Sequence, residues 1–295
     1  MGLVQKAFSD IITFSRSSNA TRIGPDGLVQ YAPHNLLLQS QTFDNASWTK
    51  GGSSIVANAT TAPDGTITAD KLVENTSSGT HQTYQGITLT AQTHTLSFFA
   101  KAAERSWVFA NWAASGNLGA YFNLSAGAVG TVSSGYSASI QSVGNGWYRC
   151  SVSRLTTAAS WYAEFDIATA DGVFSYTGDG TSGIYIWGAQ LSVGSIAGDY
   201  TPTTSAAVYG PRFDYDPVTL AAKGLLVEEQ RTNLVTYSED FSVASWSKDN
   251  SSISANAIVA PDGTLTADKV VEDTNTNSHG VYKLSISVSA STAYT

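Results

Sequence analysis

Through residues 86–192, apolar and polar side chains alternate in short runs instead of recurring every three or four positions. GITLTAQTHTLSFFAKA (86–102) sets Ile87 with Leu89, then Leu96 with Phe98, two residues apart. SWVFANWAA (106–114), GAYFNLS (119–125), SASIQSV (137–143), GWYRCSVSRL (146–155), SWYAEFDIA (160–168) and SGIYIWGAQLS (182–192) follow, each bounded by Gly, Ser or Asn. A period of two sends neighbouring side chains to opposite faces of a strand. These runs therefore predict short antiparallel strands packed as a sandwich or jelly roll. Only NASWTK (45–50) and TADKLVE (68–74) read as candidate helical turns. A parallel sheet, which needs crossover helices, is not expected.

The pattern also repeats. NLLLQSQTFDNASWTK (35–50) returns as NLVTYSEDFSVASWSK (233–248), an offset of 198. Between Asn35 and Tyr84, 28 of 50 positions are identical to the later copy, which marks a duplicated domain, not a short-period solenoid. The expected organisation is an N-terminal segment (1–34), a first jelly-roll module (35–205), a β-hairpin connector (206–232) and the start of a second module (233–295). The second copy is much shorter than the first. A half-built sheet leaves open edges, so the sequence reads as a fragment of a longer chain.

Composition supports the all-β reading. Charged residues make up 13%, about half the usual share, and Ser plus Thr number 72, a mixture suited to strands and polar turns. The net charge of −8 provides no basic face for nucleic acid, so no nucleic-acid partner is expected. No apolar run reaches about 18 residues and residues 1–10 lack leader character, so neither a membrane helix nor a signal peptide is expected. The single cysteine, Cys150, rules out an internal disulfide and reads as a small buried apolar residue.

Several stretches, taken in order, resemble the carbohydrate-binding-module-like jelly rolls of tailed-bacteriophage virion proteins. They are NLLLQSQTFDNASW (35–48), APDGTITADKL (62–72), HTLSFFAKA (94–102), YFNLSAGAVGTV (121–132), VGNGWYRCSV (143–152) and YTGDGTSGIYIWGAQL (176–191). FSRSSNATRIGPDGLVQ (14–30) and RFDYDPVTLAAKGLLVEEQRTNLVTYSEDF (212–241) are similar to the opening and the linkers of such proteins. The resemblance implies a head spike, head fibre or tail fibre on the virion surface. It implies attachment to capsid or tail proteins through residues 1–34, homo-oligomerisation, and contact with host surface polysaccharide.

Catalysis is not expected. Asp64, Asp70 and Glu74 recur as Asp262, Asp268 and Glu272, and a residue kept in both copies serves the shared fold. Asp70 and Lys71 read as a surface pair. His81 and His279 are repeat equivalents with a structural or solvent-facing role, and no histidine pair has metal-ligand spacing. No metal site is assigned; Asp44, Asp171, Asp179 and Asp199 are the loop acids that a structural calcium could use. GDGTSG (178–183) reads as a hairpin turn, not a phosphate loop. Sugar faces stack on exposed aromatics. Phe43 and Trp48 recur as Phe241 and Trp246 and read as core, as do Trp147 and Trp187. Trp107 and Trp112 must face opposite sides of a strand, as must Trp161 and Tyr162. Trp112, Tyr121 and Trp161 are the expected exposed, carbohydrate-binding set. A ligand-free capsid spacer and the non-catalytic part of a polysaccharide-degrading tail spike are the alternatives, and a first module with every Trp buried would favour the spacer.

Overall fold

A computed structural model describes residues 12–227, 233–261 and 264–288. Residues 1–11 of the expected anchor, 228–232 of the connector, and Asp262 lie outside the described residues. The described chain is all-β and antiparallel, with no helix. It divides into two compact units: residues 12–20 with 31–211, and residues 21–30 with the described part of 212–288.

The first unit is a sandwich of two six-stranded sheets. Its strands are β1 (Thr49–Gly51), β2 (Ser53–Thr60), β3 (Ala69–Glu74), β4 (Gln82–Leu89), β5 (Thr93–Ala102), β6 (Trp107–Ala113), β7 (Gly119–Asn123), β8 (Ala128–Val132), β9 (Ser137–Gly144), β10 (Trp147–Leu155), β11 (Ala159–Ala168) and β12 (Gly183–Val193). One sheet runs β8-β7-β6-β11-β4-β1 and the other β9-β10-β5-β12-β3-β2. The alternation seen in sequence fills the space between them. Leu96, Phe98 and Ala100 of β5 meet Val108, Ala110 and Trp112 of β6 and Ala163, Phe165 and Ile167 of β11 in one fully buried cluster. Phe98 and Phe165 bring their rings to 4.4 Å. Burying each such ring contributes about 1.5–3 kcal/mol. Cys150 lies in the same cluster.

The candidate helical turns take other forms. Residues 69–74 are strand β3, paired to both β2 and β12, and residues 45–48 form a turn leading into β1. Asp70 is not a surface partner of Lys71. It is buried and accepts the backbone N–H of Phe43 at 2.8 Å and of Asn58 at 2.9 Å, while Lys71 pairs with Glu104 at 2.7 Å. The physical reason is β-periodicity: consecutive residues point to opposite faces, so Asp70 and Lys71 cannot share one.

The repeat is three-dimensional as well as sequential. Asp268 accepts from Phe241 and Asn256 at 2.8 and 2.9 Å, as Asp70 does from Phe43 and Asn58. Trp48 Nε1 donates to the Gln39 carbonyl and Trp246 Nε1 to that of Tyr237. His81 Nδ1 meets the Gly52 carbonyl at 2.7 Å, and His279 Nδ1 meets that of Asn250 at 2.6 Å. Asn35, which opens the first copy, is fully satisfied: its amide donates to Ala189 and Thr201, and its oxygen accepts from Leu37 and Leu191. Asn233 repeats the local bond, accepting from Val235.

The second unit holds strands β13 (Ser247–Asp249), β14 (Ser251–Ile258), β15 (Ala267–Glu272) and β16 (Gly280–Tyr282), paired β13–β16 and β14–β15. Its apolar face is open. Val270 is 50% exposed where its counterpart Leu72 is 0% exposed: Leu72 packs in the core between two six-stranded sheets, whereas among the described residues β15 pairs with β14 alone. The unit also takes in part of the expected anchor. Ile23 N donates to Asp214 Oδ1 at 2.8 Å, Arg22 Nη1 to the Phe213 carbonyl at 3.0 Å, and Val29 N to the Pro261 carbonyl at 3.2 Å. Residues 208–209 of the expected connector instead pair with His34–Asn35 in the first unit. Backbone pairing, not the edges of the repeat, sets the division.

Candidate ligand-binding face

The register of the first sheet sets out its outer face in rows across the strands. One row reads Gly119, Asn111, Glu164, Tyr84, Thr49 from β7 to β1. The next reads Tyr121, Phe109, Asp166, Gln82, Gly51. On the other side of the first row lie Ala113, Tyr162 and Gly86. These residues alternate with the core-facing Trp112, Trp161, Ala163 and Phe165.

The face has a closed end and an open end. At the closed end Phe109 and Tyr121 stack at 4.4 Å, with Phe174 5.1 Å from Phe109. Asp166 is completely buried there and neither carboxylate oxygen receives a hydrogen bond. Gln82 Oε1 beside it is also buried without a partner. At the open end Tyr162 is 43% exposed and meets Tyr84 edge-on at 5.8 Å. Gly86, opposite Tyr162, lacks a side chain, so the tyrosine ring leans over its backbone. Asn111 Nδ2 donates to Glu164 Oε1 at 3.2 Å and to Asn117 Oδ1 at 3.4 Å, and Asn111 Oδ1 accepts from Leu118 N. The exposed Tyr162 ring offers an apolar sugar face a stacking surface, and the half-buried Glu164 offers sugar hydroxyls an acceptor; Asn111 is 5% exposed and its amide is used in these internal bonds.

Burial first, and Glu164 next, push the Asp166 carboxyl well above its ordinary range. The folded state therefore holds a proton that the unfolded chain releases above about pH 4. The sign follows: this group lowers stability as pH rises from that point toward its folded-state pKa. Asp166→Asn is expected to remove that slope and to gain over the wild type with rising pH, by up to about 1.4 kcal/mol per pH unit. Urea denaturation at several pH values between 4 and 8 measures it; parallel curves for the two proteins would refute it.

The expected binding set is not on this open surface. Trp112 is 0% and Trp161 3% exposed, their rings 5.2 Å apart between the sheets. Tyr121 faces outward but is 7% exposed, closed in by Phe109 and Phe174. Burial, then Asp166 and Asp171, push its phenol up to about 12. Strand parity is as the sequence predicts, since the members of Trp107/Trp112 and Trp161/Tyr162 do face opposite ways. The outward members are the half-buried Trp107 and the exposed Tyr162. Tyr84, Glu164 and Asn111 carry no sequence signal of their own; Tyr162 had one, its place beside Trp161.

The chain matches no family model and no curated protein. Any functional assignment therefore rests on geometry and on the resemblance noted above.

The four loop acids do not converge. Asp171 accepts from Thr131 N and Oγ1 at 2.8 and 3.0 Å. Asp179 accepts from the amides and hydroxyls of Thr181 and Ser182 and lies 3.6 Å from Arg105. GDGTSG is not the expected hairpin turn: it links residues 175–177 to β12, and the two pair with different strands, so the Asp179 side chain shapes a connection between sheets. Asp44 and Asp199 lie in other loops. Among the described residues, no three His, Cys, Asp or Glu side chains gather as metal ligands. The histidines of the first unit are fixed internally. Val193 N donates to His34 Nε2 at 2.7 Å while His34 Nδ1 meets the Ala32 carbonyl, and burial lowers the ring's pKa. Burial also brings His94 to about 4, against the Gln92 carbonyl bond, which raises it, and with His34 lowering it further.

Proposed function

We propose that the chain is a non-enzymatic surface appendage of a tailed-bacteriophage particle, a spike or fibre, and that its first sandwich binds host surface glycan. The observation that carries the glycan reading is the open end of the first sheet's outer face, where the exposed Tyr162, edge-on to the half-buried Tyr84, adjoins Glu164, which the buried Asn111 amide holds in place. The resemblance supplies the particle context, including attachment to capsid or tail proteins through the N-terminal segment and assembly with further copies. Several weak sites on one particle would act together through multivalency.

The spacer reading has an observation of its own. Trp48, Trp112, Trp147, Trp161 and Trp187 are all buried and Trp107 half-buried, so no tryptophan of the first unit offers an open stacking surface. Titration calorimetry of the full chain with purified host capsular or envelope polysaccharide separates the two. The glycan reading expects saturable binding that weakens roughly tenfold, about 1.4 kcal/mol, in Tyr162→Ala and is largely kept in Tyr162→Phe. Absence of binding at millimolar sugar would move the assignment to a spacer, and binding indifferent to Tyr162→Ala would rule out the tyrosine face as the site.

A further inference from the structure

The second sheet presents a different outer surface. One row across it reads Gln141, Arg149, Phe99, Trp187, and the next Ser139, Ser151, Ser97, Gln190. The 194–200 loop closes over this face and leaves a groove of about 210 Å³ against Ser139, Gln141, Arg149, Ser151, Ser195 and Ile196. That volume is below the roughly 300–1,000 Å³ of drug-sized sites and limits an occupant to a small ion or one sugar-sized group.

Arg149 is the charged group in this groove. Its guanidinium lies 5.5 Å over the Phe99 ring, and Nη2 donates to the Gly198 carbonyl at 2.6 Å and to Ser97 Oγ at 3.4 Å. Nε is buried with no hydrogen-bond partner. Among the described residues no carboxylate comes within ion-pair distance of it, whereas Arg105 is paired to Glu74 at 2.6 Å. Burial lowers its pKa, and Asp199, beyond contact, acts the other way. A partly desolvated cation without a counter-charge is costly, and it stands out in a chain of net charge −8. The groove's other polar side chains, Ser139, Gln141, Ser151 and Ser195, are neutral. An arginine backed by hydroxyls and an amide is the arrangement that holds an oxyanion by charge-assisted hydrogen bonds.

We propose that this groove is a binding site for a small oxyanion, a carboxylate or phosphate carried on a hydroxylated molecule such as an acidic sugar. The site is separate from the tyrosine face, and neither assignment needs the other.

Calorimetry of the full chain in low-salt buffer, with glucuronate, inorganic phosphate and glucose as probes, tests it. At least one of the two anions is expected to bind roughly tenfold or more tighter than glucose, the gain typical of a charge-assisted bond. Glucuronate alone would assign a carboxylate ligand, phosphate alone a phosphate ligand, and both together a general oxyanion site. Arg149→Gln is expected to abolish binding. Because Arg149 also stacks on Phe99 and holds Gly198, the deciding variant is Gln141→Glu. It is an exposed change that sets a carboxylate beside the guanidinium, and it should weaken the anion roughly tenfold with the unfolding midpoint held or raised, since the new carboxylate supplies the counter-charge that Arg149 lacks. Tyr162→Ala should leave anion binding as it is. Equal affinity for glucose, no anion binding at tens of millimolar, or anion binding unaffected by Gln141→Glu would each overturn the proposal.

Discussion

Arg105→Ala is expected to lower the unfolding free energy by about 3–5 kcal/mol, the cost of leaving a buried charge without its partner. The Glu74 side chain is 0% exposed and its two oxygens accept four hydrogen bonds. Arg105 supplies two, from Nε at 2.9 Å and Nη2 at 2.6 Å; Tyr176 OH adds one at 2.6 Å and Asp179 N one at 2.8 Å. Burial pushes the Glu74 pKa up, but these bonds outweigh it and hold the carboxyl below its ordinary value. A depressed folded pKa gives stability that is present above the unfolded value, about 4.3, and is lost as pH falls through the folded one. In the variant Glu74 stays buried with fewer donors, so the loss should be greatest near pH 7 and shrink toward pH 4. Guanidinium denaturation followed by tryptophan fluorescence reads both. A loss under about 1 kcal/mol at pH 7 would mean that the network contributes no more than an exposed ion pair.

Trp112→Ala is the second large effect, again about 3–5 kcal/mol, through the cavity it opens between the sheets. Its ring is fully buried against Trp161, and Tyr136 OH donates to the Trp112 carbonyl at 2.8 Å. Trp112 Nε1 is buried with no partner, so Trp112→Phe removes an unsatisfied donor while keeping most of the volume, and it should cost less than the alanine variant. Denaturation midpoints of the two variants measure this. On the glycan reading Trp112→Phe leaves polysaccharide affinity unchanged, since the ring faces the core. A Trp112→Ala protein of wild-type stability would contradict the packing described here.

Much of the fold was legible because strand parity is a strong constraint. Alternation from Ile87 to Leu191 predicted the strands. The repeat predicted that Asp70 and Asp268 do the same work, although not that the work is tying a preceding turn to the strand through two backbone amides. TADKLVE misled as a helical turn because Ala69, Lys71, Leu72 and Glu74 are good helix formers; pairing to β2 and β12 overrides that local preference.

The site was less legible because both sheets are covered on parts of their outer faces. Alternation says that Trp161 and Tyr162 point opposite ways but not which way is out. Phe174 closes over Tyr121, and Tyr200 packs 4.8 Å from Trp187, so an outward aromatic is not thereby an exposed one. Trp147 and Trp187 are buried as expected, yet in a cluster with Phe99 on the outer side of the second sheet, separate from the inter-sheet core. Loops distant in sequence make that cover, and no local pattern announces them. The cross-strand row joining Asn111, Glu164 and Tyr84 likewise exists only once the register is known.

The most direct test of the central claim is tyrosine footprinting of the full chain by nitration and mass spectrometry, with and without saturating host polysaccharide. The account predicts that free protein is modified readily at Tyr162, and that glycan suppresses modification at Tyr162 and Tyr84 while leaving Tyr237 in the second unit unchanged. Bound glycan with an undiminished rate at Tyr162 would contradict it.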